Sequence, residues 1–192
     1  MKPAPLLNPT LWRTCRMLSG STRIRLLRQM HSEPGQNVAA LAQALGISHP
    51  FASQELRRIQ SRGFLKRTHQ GSSIVYLLHA DPQVPTAAPL LKAVLNSLIT
   101  LPHTRDMEMA LIASGLAHER RIALASSLLG APQTAGQLLA EIPMSSCCQT
   151  LHLRMLMNSG LIIQTQQRYQ SRTPPHPLGR ALIQLLRQGI SR

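Results

Sequence analysis

Carboxylates are scarce in this sequence: 7 Asp and Glu face 21 Lys and Arg in 192 residues, leaving a formal net charge of +14. Paired-acid chemistry has little to draw on, and no G-x-S-x-G, H-E-x-x-H or Gly-rich phosphate loop occurs, so no enzymatic activity is expected. The excess of positive charge makes polyanions the natural partners. Cysteine is equally sparse. Cys15, Cys147 and Cys148 cannot build a disulfide framework and suit a reducing compartment. No apolar run reaches the roughly 18 residues that a membrane span needs. Three prolines interrupt "MKPAPLLNPTLWR", where a secretory signal would be continuous. A cytoplasmic protein with no membrane partner is therefore expected. Aromatics make up only 3% of the chain, whereas apolar residues make up 43%, with Leu and Ala recurring at helical spacing. The expected fold class is mainly α.

What is present is a repeat. "TRIRLLRQM" (22–30) lies over "RRIALASSL" (120–128), and "LAQALGISHPFASQELRRIQSRGFL" lies over "LLAEIPMSSCCQTLHLRMLMNSGLI". Arg23-Ile24 pairs with Arg121-Ile122 at an offset of 98, and Gly63 with Gly160 at 97. One residue of slippage is what a loop insertion leaves. Each copy predicts a helix (20–31 or 116–129), a short helix (37–44 or 134–141), a turn, and a third helix (49–61 or 146–158). In the first copy "GFLKRTHQGSSIVYLL" then predicts a hairpin, with Phe64 to Arg67 going out, Gly71-Ser72-Ser73 at the tip, and Ile74-Val75-Tyr76 returning. Three helices followed by a hairpin make a winged helix. Between the copies two apolar helices, 87–100 and 104–114, break at Pro102. The expected architecture is mainly α with small β-hairpin wings: two tandem winged helix-turn-helix domains joined by a helical linker. Residues 1–85 form the DNA-binding domain, 86–115 the linker or interface, and 116–192 a second, diverged domain.

The third helix of the first copy carries the functional pattern. Ala52, Leu56 and Ile59 recur at spacings of four and three and form the inward stripe. His49, Ser53 and Arg57, with Pro50, Gln54 and Arg58 beside them, form two outward stripes that hold no carboxylate, since Glu55 lies to one side. Ser48 can cap the helix and Pro50 suits its first turn, leaving the positive helix terminus ready for a phosphate. Ser, Gln, His and Arg can hydrogen-bond base edges in a major groove. Lys66, Arg67 and His69 on the hairpin add backbone contacts. A basic amphipathic helix alone is most simply a solvated face. The turn, the hairpin and the charge together point to double-stranded DNA.

These segments resemble the winged helix-turn-helix of the ArsR family of bacterial repressors, with His152-Leu153 matching that family's usual His-Leu pair in the recognition helix. The resemblance implies a transcriptional regulator, acting as a repressor, that binds operator DNA as a two-fold assembly. That family's metal sensors often carry Cys-x-Cys before the recognition helix, and "NVAALAQ" has none. Cys147-Cys148 is read as structural, because adjacent helical residues point about 100° apart. His79 with Asp81 and His118 with Glu119 are two-ligand fragments, read as surface residues. No cofactor or metal is expected.

Shifting the outward stripes by 97 gives Ser146, Thr150 and Arg154 beside Cys147, Leu151 and Met155. The second copy's outer face has turned apolar. Cys147, Leu151 and Met155 are therefore expected to pack on another part of the chain or on a second subunit, giving a homodimer or an intramolecular pseudo-dimer. Pro174, Pro175 and Pro177 are expected to shorten or distort the second wing. The rival readings are a replication-initiator-type tandem winged-helix protein and a protein-interaction scaffold.

Overall fold

A computed structural model describes residues 10–71 and 73–189. The first nine residues, Ser72 of the expected hairpin tip and residues 190–192 lie outside that range. The described part opens with α1 (Leu11–Leu18), which sequence reasoning did not anticipate, although Leu11, Cys15 and Leu18 recur at helical spacing and are fully buried. Then come α2 (Ser21–Ser32), α3 (Val38–Leu45), α4 (His49–Gln60) and the hairpin β1 (Leu65–Gln70) with β2 (Ser73–Leu78). Asn37 caps α3 through its side-chain oxygen, and Gly46 ends that helix at φ 65, a left-handed turn that needs no Cβ. The hairpin runs in the register Arg67 opposite Tyr76, and a single bridge from Asn37 to Val75 ties it back to the start of α3.

Two helices follow, α5 (Ala87–Thr100) and α6 (Asp106–Gly115), separated by a 3-10 turn at His103–Arg105 where Pro102 breaks the pattern. The first order of elements then recurs. It runs α7 (Glu119–Ser127), the short strand β3 (Gln133–Thr134), α8 (Ala135–Glu141), α9 (Ser146–Asn158), and the hairpin β4 (Ile162–Thr165) with β5 (Arg168–Ser171). Here β3 pairs with β5, giving a three-stranded antiparallel sheet in the order β3-β5-β4. The wing prolines do not stand in the returning strand. Gln166 and Gln167, at φ 47 and 63, reverse the chain early, so β5 is complete before Pro174. The hairpin is short, at four residues a strand, but regular. Pro177 instead opens α10 (Pro177–Arg187), a second unanticipated helix, whose Leu178, Leu182 and Leu185 are buried.

One apolar cluster runs from Leu11 to Leu186. Helix α6 lies near its middle, packing on α1 and α2 on one side and on α9 and α10 on the other. Gly115 is where it meets the second half. A Cβ there would stand 2.6 Å from that of Ser159, so the helix and the chain after α9 approach as only glycine allows. On the other side Arg28 of α2 grips the α5–α6 corner. Its Nε and Nη2 each donate to Asp106 at 2.6 Å, and Nη1 and Nη2 donate to the carbonyls of Leu98 and Leu101. Those carbonyls belong to the helix end, where no intrahelical partner remains. Among the described residues, no helix is long and apolar enough to cross a membrane.

Three histidines in this second half have their charged form disfavoured. His118 stacks on His152 with ring centroids 4.7 Å apart, and its Nδ1 accepts from the Arg120 amide. His176 accepts from the Leu178 amide at the start of α10. Burial, first of all, holds all three below the ordinary value near 6.5; Arg121 and Arg120 push the same way on His118 and His152, while Glu119 opposes on His118 and Glu108 on His176. The unfolded chain therefore takes up protons before the folded one does. Their stabilisation is fully present above about pH 6.5 and is lost as the pH falls below it. Thermal melts should show Tm falling between about pH 7 and pH 5, ahead of the carboxylate range. A flat profile across that window would contradict the lowered values.

Candidate nucleic-acid interface

Helix α4 presents its functional face because its opposite face is fixed. Ala52, Leu56 and Ile59 are fully buried, as the inward stripe predicts. Ser48 accepts the Phe51 amide at 3.4 Å and Pro50 stands in the first turn, so the helix start is set where it was expected. Ser48, His49, Pro50, Gln54, Arg57 and Arg58 are exposed and Ser53 is half-buried.

The structure divides these residues between two flanks. On the hairpin side, His49, Ser53 and Arg57 line an open groove of about 390 Å³ with Arg67 and Tyr76 of the hairpin and Asn37 at the start of α3. Val38, Ala39 and Ile74 supply apolar patches between these polar and basic groups, and no carboxylate lines the groove. Lys66 and His69 do not join it. Lys66 faces a separate concavity with Gln60, His79 and Asp81, and His69 is exposed further along β1. Arg58 faces the other flank, and Pro50 and Gln54 lie on the exposed ridge between the two, one helical step around the axis.

Sequence reasoning placed Glu55 to one side of the outward face. The structure buries it, at 1% exposure, between two arginines. Arg23 of α2 donates Nη1 to one carboxylate oxygen and Arg58 donates Nη1 to the other. Arg23 continues to the Met17 and Arg16 carbonyls, the open end of α1, so one buried carboxylate orients both α1 and α4. Arg58 is thus anchored at one nitrogen while its side chain remains about half exposed. Only the family of helical stripes was visible in advance; Arg23 lies 32 residues from its partner, and no local pattern signals the pairing.

In the second half the same shift of 97 carries the inward stripe onto Gln149, Leu153 and Leu156; all three are buried, with Gln149 donating to the Ala135 carbonyl at 2.8 Å. His152 is buried against His118 rather than presented outward. Cys147 is exposed, Leu151 is 47% exposed and Met155 is half-buried. Among the described residues, no other part of the chain covers Cys147 or Leu151. Cys15 is buried, and burial pushes its thiol far above the usual range. Among the described residues, no three His, Cys, Asp or Glu side chains gather as a metal site would need.

From α2 to β2 the elements, their order and the groove define a winged helix-turn-helix. Residues 18–72 match the model of the MarR family, a family of DNA-binding transcriptional regulators. That is a different winged-helix family from the one the sequence resembles, and the two agree on a winged helix-turn-helix regulator. The match starts at the end of α1 and stops in the hairpin turn. No curated protein and no solved structure matches the chain.

Proposed function

We propose that the protein binds double-stranded DNA sequence-specifically and represses transcription by occupying its operator, with α4 in the major groove and the β1–β2 hairpin on the backbone. The observation that carries this reading is the groove in which His49, Ser53 and Arg57 face Arg67 without a neighbouring carboxylate. A helix about 10–12 Å across with its side chains fits a major groove about 12 Å wide. Ser48, His49, Pro50, Ser53, Gln54, Arg57 and Arg58 are the set on α4, and Lys66, Arg67 and His69 are the backbone set. The chain is read as two winged helices, the second being the α7–β5 unit. That unit does not read bases, since Cys147, Leu151 and Met155 replace Pro50, Gln54 and Arg58. An ArsR-like origin for the pair rests on the repeat and on His152-Leu153, and the burial of His152 is what supports a changed role for the second copy. The working form is a homodimer. Met107 and Leu111, one turn apart on α6, and Ile99 on α5 are exposed apolar side chains suited to a subunit contact.

The test separates reading from positioning. Sites are first selected from fragments of the source genome. Gln54→Ala is then expected to lose about 1–3 kcal/mol on the selected site and little on random duplex, whereas Arg67→Ala weakens both equally. If Gln54→Ala weakens both duplexes alike, α4 does not read bases. If no duplex is retained by the parent protein, the scaffold reading replaces this one.

A further inference from the structure

The flank of α4 away from the hairpin holds a second basic concavity. Arg13 and Arg16 of α1, Arg23 of α2, and Arg58 and Arg62 at the end of α4 line an open cleft of about 390 Å³. No carboxylate lines it, and the buried Glu55 that Arg23 and Arg58 share has both oxygens taken by them. Arg13, Arg16 and Arg62 have no acidic partner within ion-pair distance among the described residues. Arg13 lies over the Trp12 ring at 5.1 Å, which orients it without neutralising it. Arg62 is half-buried, and burial together with the charge of Arg13 lowers its pKa below the ordinary arginine value. Unpaired like charges gathered in one open cleft are relieved by an anion, and guanidiniums match phosphate with paired N–H donors.

Position decides which anion. Arg57 and Arg58 are consecutive on α4 and project about 100° apart, Arg57 into the hairpin-side groove and Arg58 into this cleft. The exposed ridge of α4, with Pro50 and Gln54 on it, runs between two basic concavities. A helix seated in a major groove has a phosphate strand along each edge, and on this protein each edge meets arginines. Arg23, bonded to the last carbonyls of α1 and to Glu55, fixes α1 at that spacing before any ligand arrives.

We propose that the Arg13–Arg16–Arg62 cleft is a second phosphate clamp, holding the DNA strand on the edge of the major groove opposite the wing. The proposal rests on the reading of α4 as the groove-entering helix, and it assigns a DNA-contacting role to α1, most of which lies ahead of the family match.

The test uses the full chain and a fluorescein-labelled random-sequence duplex of about 30 base pairs. Binding is followed by anisotropy from about 50 to 300 mM NaCl for the parent and for the triple variant Arg13→Gln, Arg16→Gln, Arg62→Gln. The log-log salt slope of the variant should be shallower by about two to three, at roughly 0.9 for each phosphate lost. Affinity at the low-salt end should fall at least tenfold, with preference for the selected site over random duplex unchanged. Should the triple variant not fold by circular dichroism, Arg13→Gln alone, at an exposed position, should flatten the slope by about 0.9. A folded variant that keeps the parent slope overturns the clamp while leaving the base-reading α4 in place. Sodium tripolyphosphate raising the Tm of the parent but not of the variant, with DNA slopes equal, would make the cleft a site for a free phosphate compound and also overturn it. A parent that binds no duplex would remove the base-reading proposal itself and the clamp with it.

Discussion

Replacing Glu55 by alanine is expected to cost about 3–5 kcal/mol of folding stability. The cost lies in what is left behind. Arg23, with a side chain only 17% exposed, would keep its charge in a partly dry position with its carboxylate gone, while still committed to the Met17 and Arg16 carbonyls. Arg58 contributes little to the total, because its side chain is about half exposed and water screens its half of the pair. Arg58→Ala should therefore cost less than about 1 kcal/mol. For a chain of this size about 3–5 kcal/mol corresponds to a fall in Tm of roughly 6–20 °C, which thermal melts by circular dichroism resolve easily. The same argument predicts partial rescue. Removing both charges in Glu55→Leu with Arg23→Met should recover most of the loss, since an apolar pair of similar volume replaces an ion pair at little net cost. A Tm for Glu55→Ala within about 2 °C of the parent would show that Arg23 finds other partners and that the buried carboxylate is not what fixes α1.

That residue also marks where sequence reading stopped. The bounds of α4 were legible because Ser48 and Pro50 announce its start and Ala52, Leu56 and Ile59 its buried side; α9 was legible at 146–158 by transfer of the same pattern. The two helices around Pro102 were legible from hydropathy and a breaker. What periodicity cannot give is the identity of a distant partner. Glu55 was assigned a side of the helix but no burial, because Arg23 and the end of α1 reach it through tertiary packing. The second hairpin is short as expected, but for a different reason. Prolines are strong breakers, but the chain turns before reaching them, through Gln166 and Gln167 in left-handed conformation, a geometry that glutamine does not advertise.

At the candidate site, the alternation of stripes was enough to list the exposed polar residues of α4, and the structure adds how they divide. His49, Ser53 and Arg57 meet Arg67 across a groove; Pro50, Gln54 and Arg58 lead to the arginines of α1 and Arg62. Helix α1 itself was not foreseen, so half of the basic surface around α4 was absent from the reading. His152 shows the reverse case. A motif match presented it as part of a recognition helix, yet the stripe arithmetic puts it beside the inward-facing Leu153, and the structure stacks it on His118. Where a resemblance and the helical geometry of the chain disagree, the burial pattern follows the geometry.

Raising salt from about 50 to 200 mM should weaken duplex binding by roughly 10²–10⁵-fold, with a log-log slope of about −4 to −8. The range follows from the cations available around α4. Arg57, Lys66 and Arg67 stand on the hairpin side, while Arg58, Arg13, Arg16 and Arg62 stand on the other. About five to nine phosphate contacts, each releasing condensed counterions, give that slope at roughly 0.9 per contact. The net charge of +14 cannot produce it alone, because a diffuse charge beyond a Debye length of about 8–10 Å is largely screened at these salt concentrations. Steepness therefore reports cations in register with phosphates. Titrations by anisotropy at four or five salt concentrations measure it directly. A slope near zero, or no retention of duplex at the lowest salt, would place the arginines on a protein partner and favour the scaffold. A slope in the expected range that is equal for selected and random duplex, with selected sites still bound more tightly, would place the added affinity in uncharged contacts from α4 to the bases, as the exposed position of Gln54 requires.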